Sequence, residues 1–136
     1  MADGFLQVTA GVIARGERIL VCQRPLGGHH PEKWEFPGGK VEAGESLVAG
    51  MRRELKEELD IDASVGRVLW QTQHHYAERD PIELTFFRVP EFAGTVTNRV
   101  FAGLAWVRIT ELPDVDFLEG DREFVAALVS RQVRLD

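Results

Sequence analysis

The stretch GKVEAGESLVAGMRRELKEELDI, Gly39 to Ile61, decides how this chain is read. From Ser46 to Leu59 the apolar residues Leu47, Val48, Met51, Leu55 and Leu59 recur every three or four positions, the spacing of an amphipathic helix. Ser46 stands where an N-cap belongs, and Glu45 lies near the positive helix end. The helix also carries Arg53, Glu54, Glu57 and Glu58, and residues three and four apart share a face, so the three carboxylates are expected to point to one side. Like charges so placed repel one another, raise carboxylate pKa values and weaken the helix. A hard divalent cation relieves both effects by taking oxygen ligands. Magnesium suits best, with manganese as a substitute, because it combines a few carboxylates with water and substrate phosphates. The competing reading is a solvated face with Arg53 and Glu57 as an ordinary ion pair, worth about 0.3 to 0.5 kcal/mol. Pro37-Gly38-Gly39, just before the helix, favours a site, since glycines let the backbone approach a ligand and expose its carbonyls.

Upstream, Phe5 to Ala14 and Arg18 to Gln23 are rich in β-branched and aliphatic residues and flank Arg15-Gly16-Glu17, which reads as a hairpin. Between Pro25 and Lys40 the glycines and prolines leave loop around a short WEF strand. Downstream, strands are expected at Ser64 to Tyr76, Ile82 to Val89 and Leu104 to Arg108, with turns at Asp80-Pro81 and Ala93-Gly94. Asp121 to Arg131 reads as a second helix with Phe124, Val125, Leu128 and Val129 on its apolar face. Strands with two separated helices imply an α/β or α+β fold, a mixed sheet between helices.

The 136 residues fit one domain, 1–136, around a single core. A formal charge of -6 repels polyanions at long range, which argues against a stable nucleic-acid complex. Cys22 is the one cysteine, in the apolar run ILVC, so no internal disulfide can form and a buried structural thiol in a reducing compartment is expected. The opening residues include Asp3 rather than a cationic run, and the stretch Leu6 to Ile13 is interrupted by Gln7 and Thr9, unlike a secretion signal. No stretch approaches the roughly 20 apolar residues of a spanning helix. The expectation is a cytoplasmic protein without membrane association, monomeric or homodimeric.

The segment Gly39 to Ile61 resembles the Nudix box, in which glycine is followed five residues on by glutamate, and after seven more by Arg-Glu-aliphatic-any-Glu-Glu-any-Gly-aliphatic. Gly39, Glu45, Arg53, Glu54, Leu55, Glu57, Glu58 and Ile61 fall on that pattern. Asp60 stands where the family has a glycine that usually ends the helix in a left-handed conformation. Asp tolerates that conformation better than most residues, so an altered turn with intact chemistry is expected. The order of hairpin, Gln23-Arg24, WEFPGGK, box, strands and closing helix is similar to the MutT-like branch, which hydrolyses nucleoside triphosphates to monophosphate and pyrophosphate. The resemblance implies an α/β/α sandwich and a small-molecule nucleotide substrate.

It further implies that Glu57 and Glu58 bind metal together with the Gly38 carbonyl, and that Glu54 binds metal or acts as base toward the attacking water. Such hydrolysis needs cations between phosphate oxygens and a positioned water. Arg53, whose guanidinium can hold carboxylates in a fork, and Glu45 are expected to support the site. Arg24 stands where MutT-like proteins place a phosphate-binding arginine, and Lys40 flanks the glycine pair; surface solvation competes for both. Asp121 is either the base reader at the start of the last helix or its N-cap. An ionised Asp accepts from the cytosine amine or from the N1 and amino hydrogens of a guanine-type base, so pyrimidine triphosphates such as CTP and oxidised ones such as 8-oxo-dGTP both remain. Phe36 and Phe86 can stack on a base or belong to the core, as can Trp34, Trp70 and Trp106. His29-His30 and His74-His75 lack a third ligand at transition-metal spacing. Many relatives carry a further acidic group where this chain has Asn98-Arg99-Val100. The alternatives are a Nudix hydrolase of a dinucleotide, a nucleotide sugar or an RNA 5′ end, and a ligand sensor without catalysis.

Overall fold

In the computed structural model, which describes residues 4–136, β1 (Leu6–Arg15) turns at Gly16 (φ 61°) into β2 (Arg18–Gln23). Asp3 lies outside the described residues. The two strands pair antiparallel only next to the turn, Ala14 with Ile19 and Arg15 with Arg18, and then part. Into the gap goes the WEFPGGK segment: β3 (Trp34–Glu35) pairs with β2, β4 (Gly38–Lys40) pairs with β1, and the Gly11 amide donates to the Pro37 carbonyl at 2.7 Å. Gly38 is required there, because a Cβ on it would stand 2.0 Å from the Thr9 carbonyl oxygen. The expected WEF strand therefore ends at Glu35, and Phe36 already belongs to the crossing between strands.

On its other edge β1 runs parallel to β7 (Ile82–Val89), which pairs antiparallel with the edge strand β6 (Val68–His74), while β9 (Gly103–Arg108) lies antiparallel to β2. The strand expected over Ser64 to Tyr76 is broken in two. Ser64 ends β5 (Asp62–Ser64), which forms a separate ribbon with β8 (Glu91–Ala93), and Gly66 turns the chain before β6, its amide bonded to the Arg88 carbonyl at 2.7 Å.

Alternation along the strands sorts the core onto two faces. Leu20 and Cys22 of β2 and Phe87 and Val89 of β7 meet Met51, Leu55 and Leu59 of α1 (Leu47–Leu59). Ile19 and Val21, with Leu84 and Phe86, face Phe124, Val125 and Leu128 of α2 (Arg122–Val129), which is shorter than the helix expected from Asp121 to Arg131. The result is the expected sandwich, a mixed sheet between helices. Cys22 is buried, as expected. Among the described residues no helix is long and apolar enough to cross a membrane.

Candidate active site

The Ser46 hydroxyl accepts from the Ala49 amide at 3.0 Å and starts α1 as an N-cap. The helix stops at Asp60, whose φ of 57° and ψ of 38° keep the left-handed turn that the family's glycine provides, with its amide bonded to the Lys56 carbonyl. The altered turn expected from Asp60 is thus not found. Its carboxylate pairs instead with Lys56 at 3.2 Å and Arg99 at 3.1 Å, and the Arg99 and Thr97 amides donate to the Glu58 and Leu59 carbonyls. The segment of Asn98-Arg99-Val100 is thereby fastened to the end of α1; Asn98 binds Phe101 through both its amide and its carbonyl.

Arg53 organises the inner side of the helix. Its guanidinium donates to Glu45 at 2.7 and 3.0 Å, to Glu54 at 3.0 Å, to Glu57 at 3.1 Å and to the Lys40 carbonyl at 2.9 Å. The Arg53 bonds hold the Glu45 carboxyl below the usual carboxylate range, and Glu45 in turn accepts from the Glu42 amide. Glu54 lies so close under Gly39 that a Cβ there would come within 2.6 Å of its carboxylate. Glu58 accepts from the Gly38 amide at 3.0 Å. Burial, then the charges of Glu54 and Glu35, push its pKa up to about 9.

The three carboxylates of the helix therefore divide. Glu54 and Glu58 are turned inward under the glycine pair, whereas the Glu57 side chain is 59% exposed and bonded to Arg53. Among the described residues no three His, Cys, Asp or Glu side chains already enclose one point. The donor chemistry nonetheless fits a hard cation: the two inward carboxylates, Glu54 and Glu58, repel in a covered place where a divalent ion would bring them together. At Gly38 it is the amide, bonded to Glu58, that meets the acidic cluster.

A carboxylate that sequence reasoning passed over completes this side. Glu35, with its side chain 17% exposed, binds the Arg24 guanidinium at 3.1 and 3.2 Å and faces Glu54 electrostatically; burial raises its pKa, Arg24 opposes. Its one signal in the sequence is a charge between two aromatics, Trp34 and Phe36, in a segment otherwise full of breakers. Arg24 also donates from Nε to the His29 carbonyl at 2.8 Å, so it is engaged within the protein rather than reaching out as a free cation.

A cavity of about 260 Å³ opens beside this cluster, lined by Arg24, Glu35, Gly38, Gly39 and Lys40 and, further in, by Asp121. Lys40 is exposed at its rim. Phe36 contributes to the wall but is 3% exposed, stacked on Phe117 at 5.2 Å and edge-on to Phe86 and Phe124, so its ring is chiefly core. Phe86 is wholly core. Asp121 precedes α2 in a 3-10 turn (Glu119–Asp121), yet its side chain makes no capping bond, which removes the N-cap alternative. Its carboxyl takes a hydrogen bond from the Phe36 amide, its Oδ2 is buried without a partner, and burial followed by the Glu35 charge raises its pKa well above the usual range. His30 and His74 pack their rings on Tyr76, another cavity residue that the sequence did not flag.

Residues 5–128 match the family described as NUDIX domain. A CTP pyrophosphohydrolase of Escherichia coli (strain K12) is 40% identical over 102 residues, covering 75% of each chain. An 8-oxo-dGTP diphosphatase of Proteus vulgaris is 38% identical over 95 residues, covering 69% of this chain and 84% of its own. The solution structure of the E. coli ORF135 protein superposes with a TM-score of 0.84 at 32% identity, covering 97% of this chain and 94% of that one.

Proposed function

This chain belongs to the Nudix hydrolases, and from that membership we propose that it cleaves small nucleoside triphosphates to the monophosphate and pyrophosphate with magnesium as its ion. Nudix hydrolases as a class use divalent cations. Glu54, Glu57 and Glu58 would hold the ion, whose chemistry is to neutralise phosphate oxygens and favour ionisation of a water. The observation that carries the reading is the cavity, whose wall from Glu35 to Lys40 touches the acidic helix at Gly39 and the buried Asp121 at Phe36.

That arrangement suits a ligand with an anionic tail at one end and a polar ring at the other. Lys40 at the rim supplies positive charge for the tail; Arg24 orders Glu35 and the loop beyond it. Glu54, fixed by Arg53 and packed against the bare Cα of Gly39, would orient or deprotonate the attacking water. Asp121 reads the base. Burial favours its neutral form, which offers one donor and one acceptor; these match N3 and the amine of cytosine, and equally O6 and N1–H of a guanine-type base.

Incubation with magnesium and a panel containing CTP, the common triphosphates and 8-oxo-dGTP tests the activity, with monophosphate and pyrophosphate as the expected products. Failure of every member to react sinks the proposal. Glu57→Gln is expected to lower kcat about a hundredfold with the fold retained, and a loss below tenfold would argue against Glu57 as a ligand.

A further inference from the structure

Tyr76 follows β6 in the bend that leads to β7, and two other segments of the cavity wall, the loop of His30 and the turn from Leu118 to Asp121, meet on it. Its hydroxyl accepts from the Gly120 amide at 2.8 Å. Its ring packs against His74 on its own segment at 4.2 Å and 63°, and against His30 at 4.5 Å and 52°, across the gap to the loop after β2. Gly120 lies in the 3-10 turn that ends at Asp121, and that turn has no side-chain cap from Leu118. The phenol oxygen thus meets an amide at the open start of the turn. The fit leaves no slack: a Cβ on Gly120 would stand 2.9 Å from the Tyr76 oxygen and 3.6 Å from His74.

We propose that Tyr76 is a positioning residue for base selection, its hydroxyl fixing the turn that carries Asp121 and its ring packing on His30 of the cavity wall. The inference rests on the reading that this cavity receives the base of a nucleotide. Tyr76 does not touch the reacting phosphates, so its removal acts on base affinity and discrimination rather than on bond cleavage.

Tyr76→Phe keeps the ring and removes only the bond to Gly120, while Gly120→Ala forces a methyl against the hydroxyl. With CTP and 8-oxo-dGTP as probes, each variant is expected to raise KM about five- to tenfold for the better substrate, to leave kcat within about twofold, and to shift the kcat/KM ratio of the two substrates by at least threefold. In the Tyr76→Phe background the added methyl has room, so the double variant is expected to be no worse than the poorer single one. Amide exchange at Gly120 and Asp121 is expected to quicken in Tyr76→Phe while α1 amides stay unchanged. Unaltered KM and substrate ratio in both single variants overturn the inference, as does simple multiplication of the two defects. If the unmodified chain turns over neither probe and calorimetry with magnesium finds no binding of either, the nucleotide reading falls and takes this one with it. Turnover with an unchanged ratio removes this inference alone.

Discussion

Replacing Gly39 by alanine puts a methyl carbon 2.6 Å from Glu54 Oε2, 2.7 Å from its Cδ and 2.9 Å from Oε1. A methyl and an oxygen settle no closer than about 3.4 Å, so the carboxylate must retreat by about 0.8 Å. That retreat disturbs its 3.0 Å bond to Arg53. Gly39 has no left-handed φ and its backbone accepts alanine without strain, so the damage falls on Glu54 rather than on the strand. Misplacing a catalytic group by about 1 Å costs about a hundredfold in rate. The expected result is a kcat reduced about a hundredfold at saturating magnesium, a KM within about threefold, and a melting temperature within about 4 °C of the parent, equivalent to about 1 kcal/mol. Pyrophosphate release from CTP and 8-oxo-dGTP, followed beside thermal melts, measures all three. Retention of kcat within threefold would show that Glu54 need not sit under Gly39. The neighbouring Gly38→Ala supplies the contrast: its Cβ meets the Thr9 carbonyl at 2.0 Å, backbone that cannot turn aside, so a loss of stability beyond about 4 kcal/mol is expected.

Arg53→Lys exchanges a fork bonded to Glu45, Glu54, Glu57 and the Lys40 carbonyl for a single ammonium; kcat is expected to fall tenfold or more, and urea titration to register a loss of about 1 to 2 kcal/mol. In metal-free protein the raised pKa of Glu58 means that the folded state keeps a proton the unfolded chain has released, so stability should decline as pH rises from about 4.5 towards 9, with Glu35 and Asp121 adding in the same direction. Magnesium should flatten that decline by favouring the ionised form, and melts at several pH values with and without the ion would expose an opposite slope. Phe124→Ala opens a hole between Phe36 and Phe86 and should cost about 3 to 5 kcal/mol by chemical denaturation, whereas a cost below 1 would mean that α2 does not pack on the sheet as described.

What could be read along the chain was what repeats along it. The three- and four-residue spacing of Met51, Leu55 and Leu59 specified α1 and its buried side, Ser46 marked its start, and β-branched runs marked β1, β2 and β7 within a few residues. The carboxylates of Glu54, Glu57 and Glu58 were visible as a group, but not that Glu57 would stay exposed while the glycine pair covers the other two. Glu35 escaped notice because its place depends on β3 and β4 entering the gap between β1 and β2, a pairing of residues far apart in sequence. Asp121 read as either a base reader or a cap, and what distinguishes a cap, a bond to its own helix, is absent, while the Phe36 amide, distant along the chain, meets its carboxyl. Tyr76 belongs to no periodic pattern; its partners come from the loop after β2 and the turn before α2.

The parting of β1 and β2 has a kinetic corollary. Glu35, Gly38 and Gly39 take up their places only once the inserted segment is gripped by a strand on either side, contacts that close late because they join distant stretches of chain. A half-folded intermediate that retained α1 would carry all three box glutamates and still be inert. On dilution from denaturant, recovered turnover should accordingly keep time with the fluorescence of Trp34, which lies in the inserted segment and reports that closure.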